Sequence, residues 1–112
     1  MKIIRYRNEQ DAFEYGLQHE DWTERLEGDL LDGIKLSGEK ATVAKVLAPI
    51  VPAAILCIGL NYRHHAEESG AKIPSFPILF MKGGNSLQHP GDPIEIPSHL
   101  SSEEVDYETE LA

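Results

Sequence analysis

The segment Ala48-Pro49-Ile50-Val51-Pro52 constrains this chain more than any other stretch. Two prolines three apart resist absorption into a helix, favour extended backbone between them and remove donors from any sheet ladder. The chain therefore divides there, with a boundary placed between residues 50 and 51. On either side, apolar runs are short and punctuated by Gly, Pro, Asn and Asp, so the expected fold class is α+β, mainly β.

Before the boundary, Lys2 to Arg7 is rich in β-branched and aromatic residues and reads as a strand, followed by turn chemistry in Asn8-Glu9-Gln10-Asp11. From Ala12 to Leu31 the apolar residues fit a helical stripe about as well as two short strands. Gly16 and Gly28 favour strands joined by turns. Asp32-Gly33 and Ser37-Gly38 mark further turns, and Thr42 to Leu47 reads as another strand. Residues 1–50 are thus expected to form a small β-rich domain.

Beyond it, Ala54 to Ile58 is a continuous apolar run between Pro52 and Gly59, the pattern of a strand buried on both faces. His64 to Ser69 suggests a helical turn, with Asn61 as a cap and Gly70 as a stop. Pro77 to Met81 is a second buried-strand candidate. Pro90-Gly91-Asp92-Pro93 is a turn, Ile94-Glu95-Ile96 a brief alternating strand, and Val105 to Leu111 a terminal one.

Composition narrows the function. With 41% hydrophobic and 26% charged residues the chain should fold, as a soluble protein. Nineteen acidic against ten basic residues give a net charge of −9, which argues against nucleic acid or an anionic membrane as partner. The N-terminus lacks the apolar core of a signal peptide and no run is long enough to span a bilayer, so a cytoplasmic location is expected. Cys57, the single cysteine, has no intrachain partner, and its apolar neighbours mark it as a small buried hydrophobe.

Three constellations carry chemistry. On a helical turn His65 and Glu68 project from one face, so the carboxylate can orient the imidazole as a general base. On its own, His-x-x-Glu is common and equally describes a solvated helix face. Glu108 and Glu110 are two apart, so on a strand they share a face and could hold one hard cation. Asp106 falls on that face too, which leaves open which acidic pair does the work. Lys82 ends an apolar run and enters Gly83-Gly84-Asn85-Ser86, a place to meet an anionic substrate or simply a surface lysine. That loop lacks the spacing of a phosphate cradle.

The order of these pieces is more specific than any one of them. An apolar strand is followed by Gly-x-Asn-Tyr-x-x-His-x-x-Glu, Pro-x-x-Phe-x-Lys, Pro-Gly-Asp-Pro-Ile and Asp-Tyr-Glu-x-Glu-Leu. From Leu47 to Ala112 the chain resembles the fumarylacetoacetate hydrolase family, in particular its short members. The resemblance implies that residues 51–112 begin a β-roll catalytic domain. It also implies a water-activating dyad at His65 and Glu68, Mg²⁺ or Mn²⁺ at Glu108 and Glu110, and Lys82 in the substrate pocket.

The implied reaction is cleavage of a carbon–carbon bond in a small oxo-acid of acylpyruvate or β-diketone type, with no organic cofactor. Within the family, oxaloacetate decarboxylation or dienedioate isomerisation is the alternative. A typical member continues well past Glu-x-Glu, with a third carboxylate ligand, most of the β-roll and the homodimer surface. The resemblance therefore implies a fragment, inactive alone, of a protein that is a homodimer when full length. The rival reading is a non-catalytic β domain that binds a partner.

Overall fold

The computed structural model describes residues 1–101 and 104–111. The chain is mainly β, with antiparallel sheets. Strands β1 (Ile3–Arg7), β2 (Phe13–Gln18), β3 (Thr23–Asp29), β4 (Gly33–Lys40) and β5 (Lys45–Leu47) form one sheet in the order β4-β3-β2-β1-β5. Strands β6 (Ile55–Gly59) and β7 (Ile78–Lys82) form a second, with helix α1 (Arg63–Glu68) between them in sequence.

Local side-chain chemistry sets the first hairpins. Asn8 Oδ1 accepts the backbone N–H groups of Gln10 and Ala12 at 3.0 and 2.9 Å, which closes the β1–β2 turn. Asp29 Oδ1 accepts the Leu31 N–H at 2.8 Å and closes the β3–β4 turn. The expected strands across residues 12–31 are therefore present. Gly16, however, lies inside β2, and the turn falls at 19–22, where His19 stacks on Trp22 with ring centroids 4.4 Å apart.

Ser37-Gly38 is not a turn. Both residues lie within β4, whose register against β3 shifts between Glu24 and Leu26. Gly38 has φ +75°, and its N–H donates to Glu24 Oε1 at 3.0 Å. A left-handed glycine serves a bulge as readily as a turn. The bulge also satisfies Glu24, a buried carboxylate whose other oxygen meets His19 Nε2 at 3.1 Å. The core of this sheet gathers Ile4, Tyr6, Leu26, Leu47 and Ala48.

The segment after β7 folds back onto β5. Lys45 Nζ pairs with Asp92 Oδ2 at 2.7 Å, and the Ala48 N–H donates to His89 Nδ1 at 3.0 Å. The Pro90–Gly91 turn is present; the strands expected over 94–96 and 105–111 are not, and both stretches are irregular. Strand β5 is also shorter than expected, at three residues.

β6 and β7 form as expected but are not buried. All five residues of β7 are exposed, and Leu56 and Met81 are 67% and 68% exposed. A strand exists only against a partner, and these two have only each other among the described residues. The radius of gyration, 18.4 Å, exceeds the roughly 13 Å of a compact domain of this size, in keeping with that uncovered face.

Candidate functional site

The site is built where β6 ends. Leu60 adopts φ +50°, a left-handed conformation uncommon for a branched side chain, and turns the backbone from the strand into α1. The helix begins after Tyr62, its N-cap, which makes no side-chain capping bond; Asn61 does not cap it. Its end is well defined. Gly70, at φ +66°, follows the last turn, with its N–H on the Glu67 carbonyl and the Ala71 N–H on that of Ala66, the paired bonds of a Schellman motif. Wholly buried Ala66 anchors the helix and leaves neighbouring His65 half-exposed.

Opposite α1 stands one face of the β6–β7 sheet. Cys57 pairs with Phe80 and Ile55 with Lys82, so these four side chains share that face. Lys82 Nζ sits 5.9 Å from the Phe80 ring centroid. The segment 105–111 runs alongside, tied down at its end by the Leu111 N–H, which donates to the Tyr62 hydroxyl at 3.1 Å. Together these elements enclose a cleft of about 560 Å³, lined among others by Asn61, His65, Lys82, Glu108 and Glu110.

Four of the five residues singled out in the sequence thus meet in one cleft. Glu68 is the exception. It is exposed on α1, and the hydrogen bond expected from His65 to Glu68 is not formed; His65 Nε2 instead faces Glu108 Oε1 at 3.3 Å. Of the acids on this segment, Glu108 and Glu110 line the cleft, whereas Asp106 does not and its Oδ1 accepts the Tyr107 N–H at 2.8 Å. Cys57, read as a buried hydrophobe, is partly exposed on the cleft wall. Period-two alternation along β6 and β7 would have found both Cys57 and Phe80.

Glu108 and Glu110 are hard oxygen donors in one cavity, which suits Mg²⁺ or Mn²⁺, ions often held by one or two carboxylates with water and substrate oxygens completing the shell. No group of three metal-ligating side chains converges among the described residues. The other large hollow, about 650 Å³ at the β2–β3 turn, contains His19, but that ring is already stacked on Trp22 and bonded to Glu24.

Residues 54–112, just over half of the chain, match the family model described as fumarylacetoacetate (FAA) hydrolase C-terminal. The chain belongs to the fumarylacetoacetate hydrolase family. It is 51% identical over 67 residues to the fumarylacetoacetate hydrolase domain-containing protein 2 homolog of Dictyostelium discoideum, a match covering 60% of this chain and 21% of that protein. The mitochondrial oxaloacetate tautomerase fahd2 of Xenopus laevis is 48% identical over 68 residues, covering 60% of this chain and 21% of its own. An uncharacterized protein of Archaeoglobus fulgidus is 43% identical over 89 residues, covering 78% and 34%. The matched stretch therefore spans between about a fifth and a third of these relatives. No solved structure matches.

Proposed function

We propose that this chain carries part of the catalytic centre of an enzyme that moves a proton between the keto and enol forms of a small oxo-acid, oxaloacetate being the leading substrate. In this reading residues 1–50 form a separate β domain, residues 51–112 open a β-roll catalytic domain, and the complete protein is a homodimer. The observation that carries it is the meeting of His65, Lys82, Glu108 and Glu110 in one cleft. The naming of relatives as oxaloacetate tautomerases favours isomerisation over bond cleavage.

The chemistry follows from the residue types. His65 takes a proton from the carbon beside the substrate carbonyl and returns it to the oxygen. Glu108, 3.3 Å from His65 Nε2, stabilises the imidazolium formed between those steps. Lys82 meets the substrate carboxylate. Glu108 and Glu110 would hold a divalent cation, which when bound supplies positive charge against the developing enolate.

Hydrolysis of an acylpyruvate is the second reading. A half-exposed imidazole beside a carboxylate is equally suited to taking a proton from water.

Mn²⁺ binding to this chain, followed by electron paramagnetic resonance, tests the site. Affinity should fall by about tenfold or more in the Glu108→Gln/Glu110→Gln double variant, because the hard ligands are lost. An unchanged affinity would sink the metal assignment. With Mn²⁺ present, His65-dependent loss of enol absorbance from oxaloacetate supports tautomerisation, whereas His65-dependent cleavage of acetylpyruvate with oxaloacetate left unchanged supports the hydrolase reading.

A further inference from the structure

The stretch 105–111 carries both carboxylates of the proposed metal site, yet neither strand nor helix fixes its shape. Among the described residues it has two non-local hydrogen bonds or ion pairs, and both run to the start of α1. The Leu111 N–H donates to the Tyr62 hydroxyl at 3.1 Å, and Glu108 Oε1 faces His65 Nε2 at 3.3 Å. The hydrogen bond from the Tyr107 N–H to Asp106 is local and ties the stretch to nothing else.

The two ties match in spacing. Tyr62 and His65 are three residues apart, as are Glu108 and Leu111, so the stretch is clasped at two points with Glu110 between them. Glu110 has no hydrogen bond or ion pair of its own among the described residues, and the backbone on either side is what keeps it in the cleft. Tyr62 stands at the N-cap of α1, directly after the left-handed turn at Leu60, and makes no capping bond there. It does not line the cleft itself.

Two carboxylates on an irregular, exposed segment repel each other, and a backbone free to move lets them separate. A tie that holds the segment beforehand removes part of the ordering cost of bringing both onto one cation, and so raises affinity without touching the ion. We propose that Tyr62 is a positioning residue for the metal site: its hydroxyl holds the Leu111 end of the segment while His65 holds the Glu108 end, and Glu110 is kept in the cleft between them. The inference rests on the metal assignment above and adds to it a residue outside the cleft.

The test is Tyr62→Phe, which removes the hydroxyl and keeps the ring; Tyr62 is 41% exposed, so the core is left untouched. Mn²⁺ affinity of the whole chain, followed by electron paramagnetic resonance, should fall by about threefold to tenfold, as the loss of one hydrogen bond gives. Urea unfolding followed by Trp22 fluorescence should not change. In the Glu108→Gln/Glu110→Gln background the same substitution should leave the residual Mn²⁺ affinity as it is, a non-additivity that a merely structural role would not produce. In the ¹⁵N-labelled chain without metal, the Leu111 amide proton should move upfield as its acceptor is lost. Unchanged Mn²⁺ affinity, an unmoved Leu111 amide, or an equal fall in Tyr107→Phe, which removes an exposed hydroxyl from the same segment, overturns the proposal and leaves the metal assignment standing. A parent chain that binds no Mn²⁺, or binds it equally well without both glutamates, overturns the metal assignment and the role of Tyr62 with it.

Discussion

Replacing Tyr6 with Phe isolates one hydroxyl at the centre of the first sheet. Tyr6 is wholly buried, and its hydroxyl donates to Glu14 Oε2, while Glu14 Oε1 accepts Asn8 Nδ2 at 3.1 Å. A hydrogen bond to a charged acceptor contributes about 2 kcal/mol. Glu14 retains Asn8 and is partly solvated, so the loss should not exceed that figure. The corresponding fall in melting temperature is roughly 10 °C for a domain of this size.

The same substitution has a signature in pH. Burial first, and the Glu14 hydrogen bond second, push the Tyr6 phenol well above its ordinary value. In the unfolded chain a tyrosine releases its proton near pH 10, while folded Tyr6 keeps it. The unfolded state then binds fewer protons than the native one, so stability from Tyr6 is complete below pH 10. Above it, stability falls by about 1.4 kcal/mol per pH unit until the folded phenol ionises. The gap between the parent chain and Tyr6→Phe should therefore narrow from about 2 kcal/mol at pH 8 to well under 1 kcal/mol at pH 11. Urea unfolding followed by Trp22 fluorescence measures it, and taking the difference cancels the other groups that titrate in this range. A gap that stays constant from pH 8 to 11, or its absence at pH 8, would refute the reasoning.

Gly16→Ala places a Cβ against Thr23 Cγ2, 3.1 Å from the Glu24 carbonyl oxygen and 3.2 Å from Tyr6 Cε1. Urea unfolding should show a loss of about 1–3 kcal/mol, the usual cost of overpacking, and no loss would mean that β3 yields freely. His89→Ala removes the acceptor of the nearly buried Ala48 N–H, for a cost of about 1–3 kcal/mol. Hydrogen exchange at that amide should accelerate, and unchanged protection would count against the contact between the 89–92 turn and β5. Gly70→Ala sets a Cβ at φ +66° in open space, so strain alone acts, worth about 1–2 kcal/mol. Amide protection at Ala71 reports it, and full retention would argue against the Schellman end of α1.

Residues 1–47 were legible because their structure is decided nearby. Asn8 and Asp29 close their turns with their own side chains, within two to four residues. The misreading at Ser37-Gly38 has the same local origin, since a glycine that favours a left-handed backbone does not declare whether it serves a turn or a bulge; Glu24, fourteen residues away, decides that. In the second half the same local reasoning finds strand composition and loses the strands. The runs at 94–96 and 105–111 have apolar alternation but no ladder partner among the described residues, and alternation without a partner specifies what a face would bury, not that a sheet exists.

The site divides along the same line. The spacing of Glu108 and Glu110 was read as that of a strand, yet the two line one cleft from an irregular backbone. The partner of His65 was a different matter. Glu68, one helical turn away, was a sound local guess, and the structure gives the imidazole to Glu108, forty-three positions along the chain. Spacing offered the candidate side chains, and the order of the motifs, by resemblance to a family, gave them their expected roles. Which of them touch is decided by how distant segments are brought together. His65 meeting Glu108 rather than Glu68 therefore ties the imidazole to the proposed metal site, with one carboxylate common to both.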